Sequence, residues 1–190
     1  MGCGKSSVGR RLSDLLCCPF MDLDAVIEQQ TGRSIPEIFA TDGEAAFRQM
    51  ELAALRSIIS AEGMVEREKK QSPCSPTLIL SLGGGTVMTP ECAELVREQT
   101  MCIYLRTSVD ILVARLANEP SARPLLAANN VIPSEVEEST LRHRIEALMS
   151  RRSHIYESTA HHMIDTDGCT IDSVAELLNG YGIPGIDRQL

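Results

Sequence analysis

Apolar residues recur along the chain with two spacings, one typical of helices and one of buried strands. From Ser6 to Leu16 they recur every three or four positions, which predicts an amphipathic helix. Residues 18–24 read as a short strand that ends in carboxylates, and residues 77–82 form an apolar run that stops at three glycines. Further strands are predicted at 101–105 and 162–165.

Capping signals place the starts of helices between these strands. Ser34-Ile-Pro-Glu37 and Thr41-Asp-Gly-Glu44 each set a hydroxyl three residues before a carboxylate, the pattern of a capping box. The second box predicts a helix that runs to roughly Ala61, and the charged, proline-punctuated segment 66–76 predicts an exposed loop. Four other helices are predicted. One starts at Thr89-Pro90, two cover residues 108–117 and 141–152, and the last, near the end of the chain, runs through Leu178.

Strands that alternate with helices predict an α/β fold, with a central, mostly parallel sheet covered by helices on both faces. The 190 residues, 43% of them hydrophobic, suit a single domain over 1–190. Residues 118–140 are rich in Asn, Pro, Ser and Glu, and this composition predicts a mobile lid within that domain.

The charge balance and the cysteines narrow the class of protein. Eighteen basic against 26 acidic residues give a net charge of −8, which disfavours nucleic acid as a partner. No apolar run is long enough to predict a membrane span. Seven cysteines, an odd number with no zinc-type spacing, favour reduced thiols and a cytoplasmic location. We expect a monomer.

The segment directly before the first predicted helix carries the first chemical signal. It reads Gly2, Cys3, Gly4, Lys5, Ser6 and Ser7. Glycines let backbone amides approach a polyphosphate, and the helix N-terminus adds partial positive charge. Lys5 can reach the phosphates and Ser6 can hold Mg²⁺. The pattern G-x-x-x-x-G-K-[ST] is incomplete, because its first glycine would precede Met1, so a chance match stays open.

Two further groups of residues follow predicted strands. Asp22 and Asp24 are two apart, so on a strand their side chains share a face, at the sheet edge where α/β proteins bind ligands. Gly83, Gly84 and Gly85 allow a ligand to touch the backbone. A solvated strand end and a plain turn are the ordinary alternatives for these two groups.

Three arginines complete the set: Arg48 on the long predicted helix, Arg123 in the predicted lid, and Arg152 in the basic helix. Each alone is most often a solvated charge or an ion-pair partner. Beside a phosphate loop, guanidinium groups are suited to binding carboxylates and phosphates with two parallel hydrogen bonds. The set therefore points to a small anionic substrate next to a nucleotide.

Taken together, these segments resemble the shikimate kinase family of P-loop kinases. The matching segments are Met1–Ser6, Asp22–Glu28, Thr31–Phe39, Gly43–Arg48, Leu82–Gly85, Arg123–Leu126 and Arg152–Tyr156. The resemblance covers most of residues 1–165, and its later motifs are more specific than the phosphate loop. It implies a three-layer P-loop kinase fold and ATP-dependent phosphorylation of the 3-hydroxyl of shikimate, in chorismate and aromatic amino acid biosynthesis.

The resemblance also implies roles for single residues on the nucleotide side of the site. Lys5 and Arg123 would bind the phosphates of ATP, and Arg115 would stack on adenine. Ser6 and Asp22 would hold Mg²⁺. The rest of the ATP site would be formed by Gly2, Cys3, Gly4 and Ser7.

On the substrate side, Asp24 resembles the carboxylate that contacts the hydroxyls of shikimate and accepts the proton. Arg48 and Arg152 match the pair that grips the shikimate carboxylate. The same pocket would be lined by Gly83, Gly84 and Gly85.

Two alternatives and one departure accompany this hypothesis. Another P-loop small-molecule kinase, of the gluconate type, or a non-catalytic protein that binds nucleotide or shikimate would share part of the pattern. The family places a central strand before the phosphate loop, and its absence would expose the edges of both neighbouring strands. We therefore expect the natural reading frame to begin upstream of Met1.

Overall fold

Helices and short strands alternate along the chain, as the hydrophobic pattern predicts. The computed structural model describes residues 2–68, 78–117 and 135–180. The strands of these ranges are β1 (Phe20–Asp22), β2 (Ile79–Ser81), β3 (Ile103–Arg106) and β4 (His162–Asp165). Their helices are α1 (Lys5–Leu16), α2 (Leu23–Thr31), α3 (Ile35–Thr41), α4 (Gly43–Glu68), α5 (Pro90–Gln99), α6 (Val109–Ala117), α7 (Glu135–Thr159) and α8 (Ile171–Gly180), with a short 3₁₀ helix at Thr86–Met88.

The described strands form two parallel pairs. β1 pairs with β2, with Phe20 opposite Ile79, and β3 pairs with β4, with Ile103 opposite His162. Parallel pairing is confirmed, but no described strand joins β2 to β3, so the predicted central sheet consists of two separate pieces in these ranges.

Helices cover both faces of these strands, which confirms the layered α/β architecture. On one face, α1 and α8 bury a cluster that includes Val8, Leu12 and Leu178 against the side chains of Ile79 and Ile103. On the other face, α4, α5 and α7 pack over β2. The alternating side chains of a strand explain why neighbouring residues of β2 face opposite layers.

Local signals placed some helix ends correctly and others wrongly. The capping box at Ser34 and Glu37 is present at the start of α3. The prediction that Thr41 caps the next helix is wrong: it is the last residue of α3, and its hydroxyl donates to the carbonyl of Glu37 in the same helix at 2.8 Å. The next helix, α4, begins at Gly43 and extends to Glu68, beyond the predicted end and into the segment predicted as a loop.

The predicted lid falls mostly outside the described ranges. Residues 118–134, which include Arg123, are not among the described residues. Residues 135–140 belong to α7, so this end of the predicted lid is helical. None of the helices in the described ranges combines the length and apolar composition that crossing a bilayer requires.

Candidate active site

The phosphate loop leads directly into α1 and leaves its N-terminus open. Gly2 and Gly4 have φ angles of 66° and 80°, a conformation that residues with a Cβ rarely adopt. Gly4 is the N-cap of α1, no side chain caps the helix, and its first turn holds no acidic residue. The first amides of α1, with their partial positive charge, are therefore available to an anionic group.

Hydroxyl and carboxylate oxygens meet beside this helix start. The Ser6 hydroxyl donates to Asp22 Oδ2 at 2.7 Å and lies 3.3 Å from the Ser81 hydroxyl. Asp22 ends β1 and caps α2, since its Oδ1 accepts the backbone N–H of Asp24 at 3.2 Å. Asp24 thus lies in the first turn of α2, so the expectation that both aspartates share one face of a strand is wrong.

Asp24 lies where several charges meet. Burial raises the pKa of its carboxyl group above the ordinary value, Lys5 opposes that shift, and the negative charges of Asp22, Glu51 and Glu28 add to it. A carboxylate with a raised pKa is a better proton acceptor than an exposed one. Asp22, which binds the backbone N–H of Asp24 through one oxygen and the Ser6 hydroxyl through the other, places Asp24 beside the phosphate loop.

The three glycines after β2 allow charged side chains to approach the backbone closely. A Cβ at Gly83 would lie 2.9 Å from Asp24 Oδ1 and 3.2 Å from Glu51 Oε1. A Cβ at Gly85 would lie 2.5 Å from Nη1 of Arg48. Any larger residue at these two positions would displace the charged groups, so the close packing explains why glycine is needed here.

Arg48 forms ion pairs with two carboxylates of its own helix. Nη1 donates to Glu51 Oε2 at 2.5 Å, and Nη2 donates to Glu44 Oε1 at 2.8 Å. Glu51 is 1% exposed, whereas 60% of the Glu44 side chain is exposed. The second oxygen of Glu51 accepts the Thr86 hydroxyl at 2.6 Å. The buried carboxylate is thus fully hydrogen-bonded and fixes the guanidinium of Arg48.

Two residues one turn apart on α7 hold the middle glycine of the loop. Arg152 Nη1 donates to the carbonyl of Gly84 at 3.2 Å, and the Tyr156 hydroxyl donates to the same oxygen at 2.5 Å. Burial raises the pKa of Tyr156, so its phenol stays protonated and keeps donating. The side chain packs against Tyr104 with ring centroids 5.2 Å apart. The hydrogen bond to Gly84 brings Arg152 to the glycine loop, which Arg48 and Asp24 also approach.

The structure thus brings several of the predicted residues to the glycine loop. Asp24 approaches Gly83, Arg48 approaches Gly85 and Arg152 approaches Gly84. The charge of Lys5 influences Asp24. Arg115, at the end of α6, donates to the carbonyl of Gly2 at 3.1 Å and therefore sits beside the phosphate loop. Cys3 and Ser7 flank the same loop residues, and Arg123 lies outside the described ranges.

Sequence reasoning missed four residues that hold Arg48 or the glycine loop in place: Glu44, Glu51, Thr86 and Tyr156. The glutamates lie four residues before and three residues after Arg48, a helical spacing that predicts ion pairs. Tyr156 follows Arg152 by four residues and shares its helix face. Thr86 gave no such signal, because its partner is 35 residues away.

An α/β fold whose phosphate loop opens a helix next to a carboxylate and two arginines defines a small-molecule kinase of the P-loop class. The family model described as "Shikimate kinase" matches residues 1–180. The chain belongs to the shikimate kinase family, and is an enzyme of that family.

Curated relatives agree with this assignment. A shikimate kinase of Thermus thermophilus is 38% identical over 176 residues, which cover 93% of this chain and 82% of the relative. A shikimate kinase of Thioalkalivibrio sulfidiphilus is 36% identical over 181 residues, 95% of this chain and 82% of the relative. A gluconate-type kinase and a non-catalytic binding protein are therefore not favoured.

Solved structures share the fold. A shikimate kinase from Acinetobacter baumannii in complex with shikimate has a TM-score of 0.76 and 29% identity, with 94% of this chain and 86% of that chain covered. A shikimate kinase from Bacteroides thetaiotaomicron has a TM-score of 0.77 over 95% of this chain and 92% of that chain; at 24% identity it supports the fold alone.

Proposed function

We propose that this enzyme transfers the γ-phosphoryl group of ATP to the 3-hydroxyl of shikimate, at a site formed by the phosphate loop and the glycine loop. One observation carries the proposal: Asp24 is linked to both loops. Its backbone N–H donates to Asp22, which also accepts the hydroxyl of Ser6 in the phosphate loop, and its Oδ1 would lie 2.9 Å from a Cβ at Gly83 in the glycine loop. A carboxylate in that place can accept a proton from a hydroxyl that faces a phosphate. The family relatives supply the identity of the substrate.

On the nucleotide side, the backbone of the phosphate loop and Lys5 bind the phosphates. Positive φ angles at Gly2 and Gly4 bring the loop close to its ligand, and the open N-terminus of α1 favours negative charge. Arg115 is held to the carbonyl of Gly2, so we place it at the nucleotide and assign it to the adenine. Cys3, Ser6 and Ser7 complete the loop.

The oxygens beside α1 fit Mg²⁺. Ser6 and Asp22 present hard oxygen ligands 2.7 Å apart, and the described residues contain no metal-binding group of three His, Cys, Asp or Glu side chains. Mg²⁺ is usually held by one or two protein oxygens together with phosphates and water. Ser6 and Asp22 would hold it, and the ion would neutralise phosphate charge.

On the substrate side, Arg48 and Arg152 bind the carboxylate of shikimate and the glycine loop lines the pocket. Arg48 reaches the loop at Gly85 and Arg152 reaches it at Gly84, so two guanidinium groups approach one stretch of backbone. Two such groups bind a single carboxylate with directed hydrogen bonds. Binding of the acid end orients the hydroxyl towards Asp24.

Asp24 then accepts the proton of that hydroxyl. Burial raises the pKa of its carboxyl group, which strengthens it as a base, and the charge of Lys5 opposes part of that shift. Phosphoryl transfer itself needs little covalent help from the protein, because charge stabilisation and alignment supply most of the rate. Arg123, at a position that matches the family's lid arginine, completes the charge around the phosphates and helps to exclude water.

The test is release of ADP, measured in a coupled assay with and without shikimate. We expect turnover that requires shikimate, while gluconate supports none. Arg123→Ala should lower kcat with little change in the KM for shikimate. ADP release at the same rate with and without shikimate would contradict the proposal.

We further propose that the enzyme acts as a monomer in the cytoplasm. The cysteines of the described residues carry free thiols, which fits a reducing compartment. Size-exclusion chromatography with light scattering tests the oligomeric state, and a mass of twice 20.7 kDa would contradict it.

A further inference from the structure

Thr86 is a polar residue with no exposed surface, at the first position of the 3₁₀ helix after the glycine loop. Its side chain is 0% exposed, and its hydroxyl donates to Glu51 Oε1 at 2.6 Å. A buried hydroxyl without a partner is costly, so this contact holds both groups in one arrangement. The backbone N–H of Thr86 also donates to the carbonyl of Gly83 at 3.2 Å, which fixes Thr86 relative to the loop.

Glu51 uses its two oxygens for different tasks. Oε1 accepts from Thr86, and Oε2 accepts from Arg48 at 2.5 Å. A carboxylate can rotate about its last bond, and a donor on one oxygen sets the direction in which the other points. The Thr86 hydroxyl thereby sets where Glu51 holds the guanidinium.

The guanidinium of Arg48 is closely packed against the glycine loop. The Arg48 side chain is 15% exposed, and its guanidinium lies against Gly85, where an added Cβ would be 2.7 Å from Cζ. Glu44 is largely exposed and holds the other end of the same group from the solvent side. The buried anchor is therefore the pair of Glu51 and Thr86.

We propose that Thr86 is a positioning residue for substrate binding: its hydroxyl orients Glu51, which aims Arg48 at the carboxylate of the substrate. This inference rests on the proposed function, because it takes that carboxylate as the ligand of Arg48. Thr86 contacts no reacting atom. Its effect therefore falls on substrate affinity and leaves the chemical step unchanged.

Two matched substitutions separate the hydroxyl from the shape of the side chain. Thr86→Val keeps the branched shape and removes the donor, whereas Thr86→Ser keeps the donor. Calorimetry measures the Kd for shikimate, and the coupled assay measures kcat and both KM values. We expect Thr86→Val to raise the Kd and KM for shikimate by about tenfold or more, as for loss of a hydrogen bond to a charged group. The KM for ATP and kcat should change less than about twofold.

The Ser variant should stay within about twofold of the unsubstituted enzyme, since it retains the hydroxyl. In an Arg48→Ala background, Thr86→Val should add little, because residues that act through one another are not additive. Equal Kd values for Thr86→Val and the unsubstituted enzyme would overturn the inference. Equal damage in the Ser and Val variants would also overturn it, since shape would then decide.

Failure of the proposed function gives a different result. If the unsubstituted enzyme binds shikimate without turning it over, the proposed reaction fails while the Kd values still decide the role of Thr86. If it does not bind shikimate at all, both are overturned. Thermal unfolding of each variant identifies a loss of folding. If Thr86→Val does not fold, Thr86→Ala, which also removes the hydroxyl, is measured in its place, and a Kd equal to that of the unsubstituted enzyme would overturn the inference.

Discussion

Gly85→Ala tests whether the guanidinium of Arg48 must lie against the glycine loop. The backbone of Gly85 has φ −106°, which alanine adopts without strain. Its new Cβ would lie 2.5 Å from Nη1 and 2.7 Å from Cζ of Arg48. Since non-bonded carbon atoms prefer about 3.5–4.0 Å, the guanidinium must withdraw by about 1 Å.

That shift breaks the 2.5 Å hydrogen bond to Glu51 and misplaces the donors offered to the substrate. Loss of a hydrogen bond to a charged group costs about 1.5–3 kcal/mol. A cost of that size in binding raises the KM for shikimate by about 10- to 150-fold. The KM for ATP should not change, because the phosphate loop is untouched.

The assay is coupled ADP release at varied shikimate and at varied ATP. Gly180→Ala, at the end of α8, is the matched control, because an added Cβ there has no atom within 4 Å. An unchanged KM for shikimate in a folded Gly85→Ala enzyme would refute the reasoning, since Arg48 would then not need its position against the loop.

Three other substitutions have definite outcomes. Asp24→Asn should abolish most turnover, yet raise the thermal midpoint at pH 7. A carboxyl group whose pKa is raised on folding destabilises the native state most at pH values above that raised pKa, so the gain in the midpoint should be lost as the pH falls through the raised pKa towards the ordinary value. A lower midpoint at pH 7 would contradict this. Gly9→Ala would put a Cβ 2.7 Å from the Phe20 ring and should lower the free energy of unfolding by about 1–3 kcal/mol. Urea unfolding measures this loss, and an unchanged urea midpoint would contradict the prediction. Tyr156→Phe removes one donor from Gly84 and should raise the KM for shikimate several-fold with kcat retained; a loss of kcat alone would contradict it.

Features that depend on neighbours in sequence could be predicted, and features that depend on distant contacts could not. The helix α1 and the capping box at Ser34 follow from local spacing. Thr41 was misplaced because its hydroxyl can serve either the helix before it or the one after it, and only packing decides.

The candidate site shows the same division. The phosphate loop and Arg48 can be recognised in the sequence from their residue types. The glutamates that hold Arg48 can be predicted from their helical spacing to it. The contact of Thr86 with Glu51 joins residues 35 apart, and that of Tyr156 with Gly84 joins residues 72 apart. No spacing rule gives such pairs, because they depend on how whole elements pack.

The two carboxylates on Arg48 also affect how a substrate arrives. Glu44 and Glu51 cancel the charge of this arginine at a distance, so Arg48 itself adds little long-range attraction for an approaching acid. Binding at Arg48 then depends on exchange of hydrogen bonds at close range, where the incoming acid replaces the exposed Glu44. This exchange is less sensitive to ionic strength than attraction by an unpaired charge.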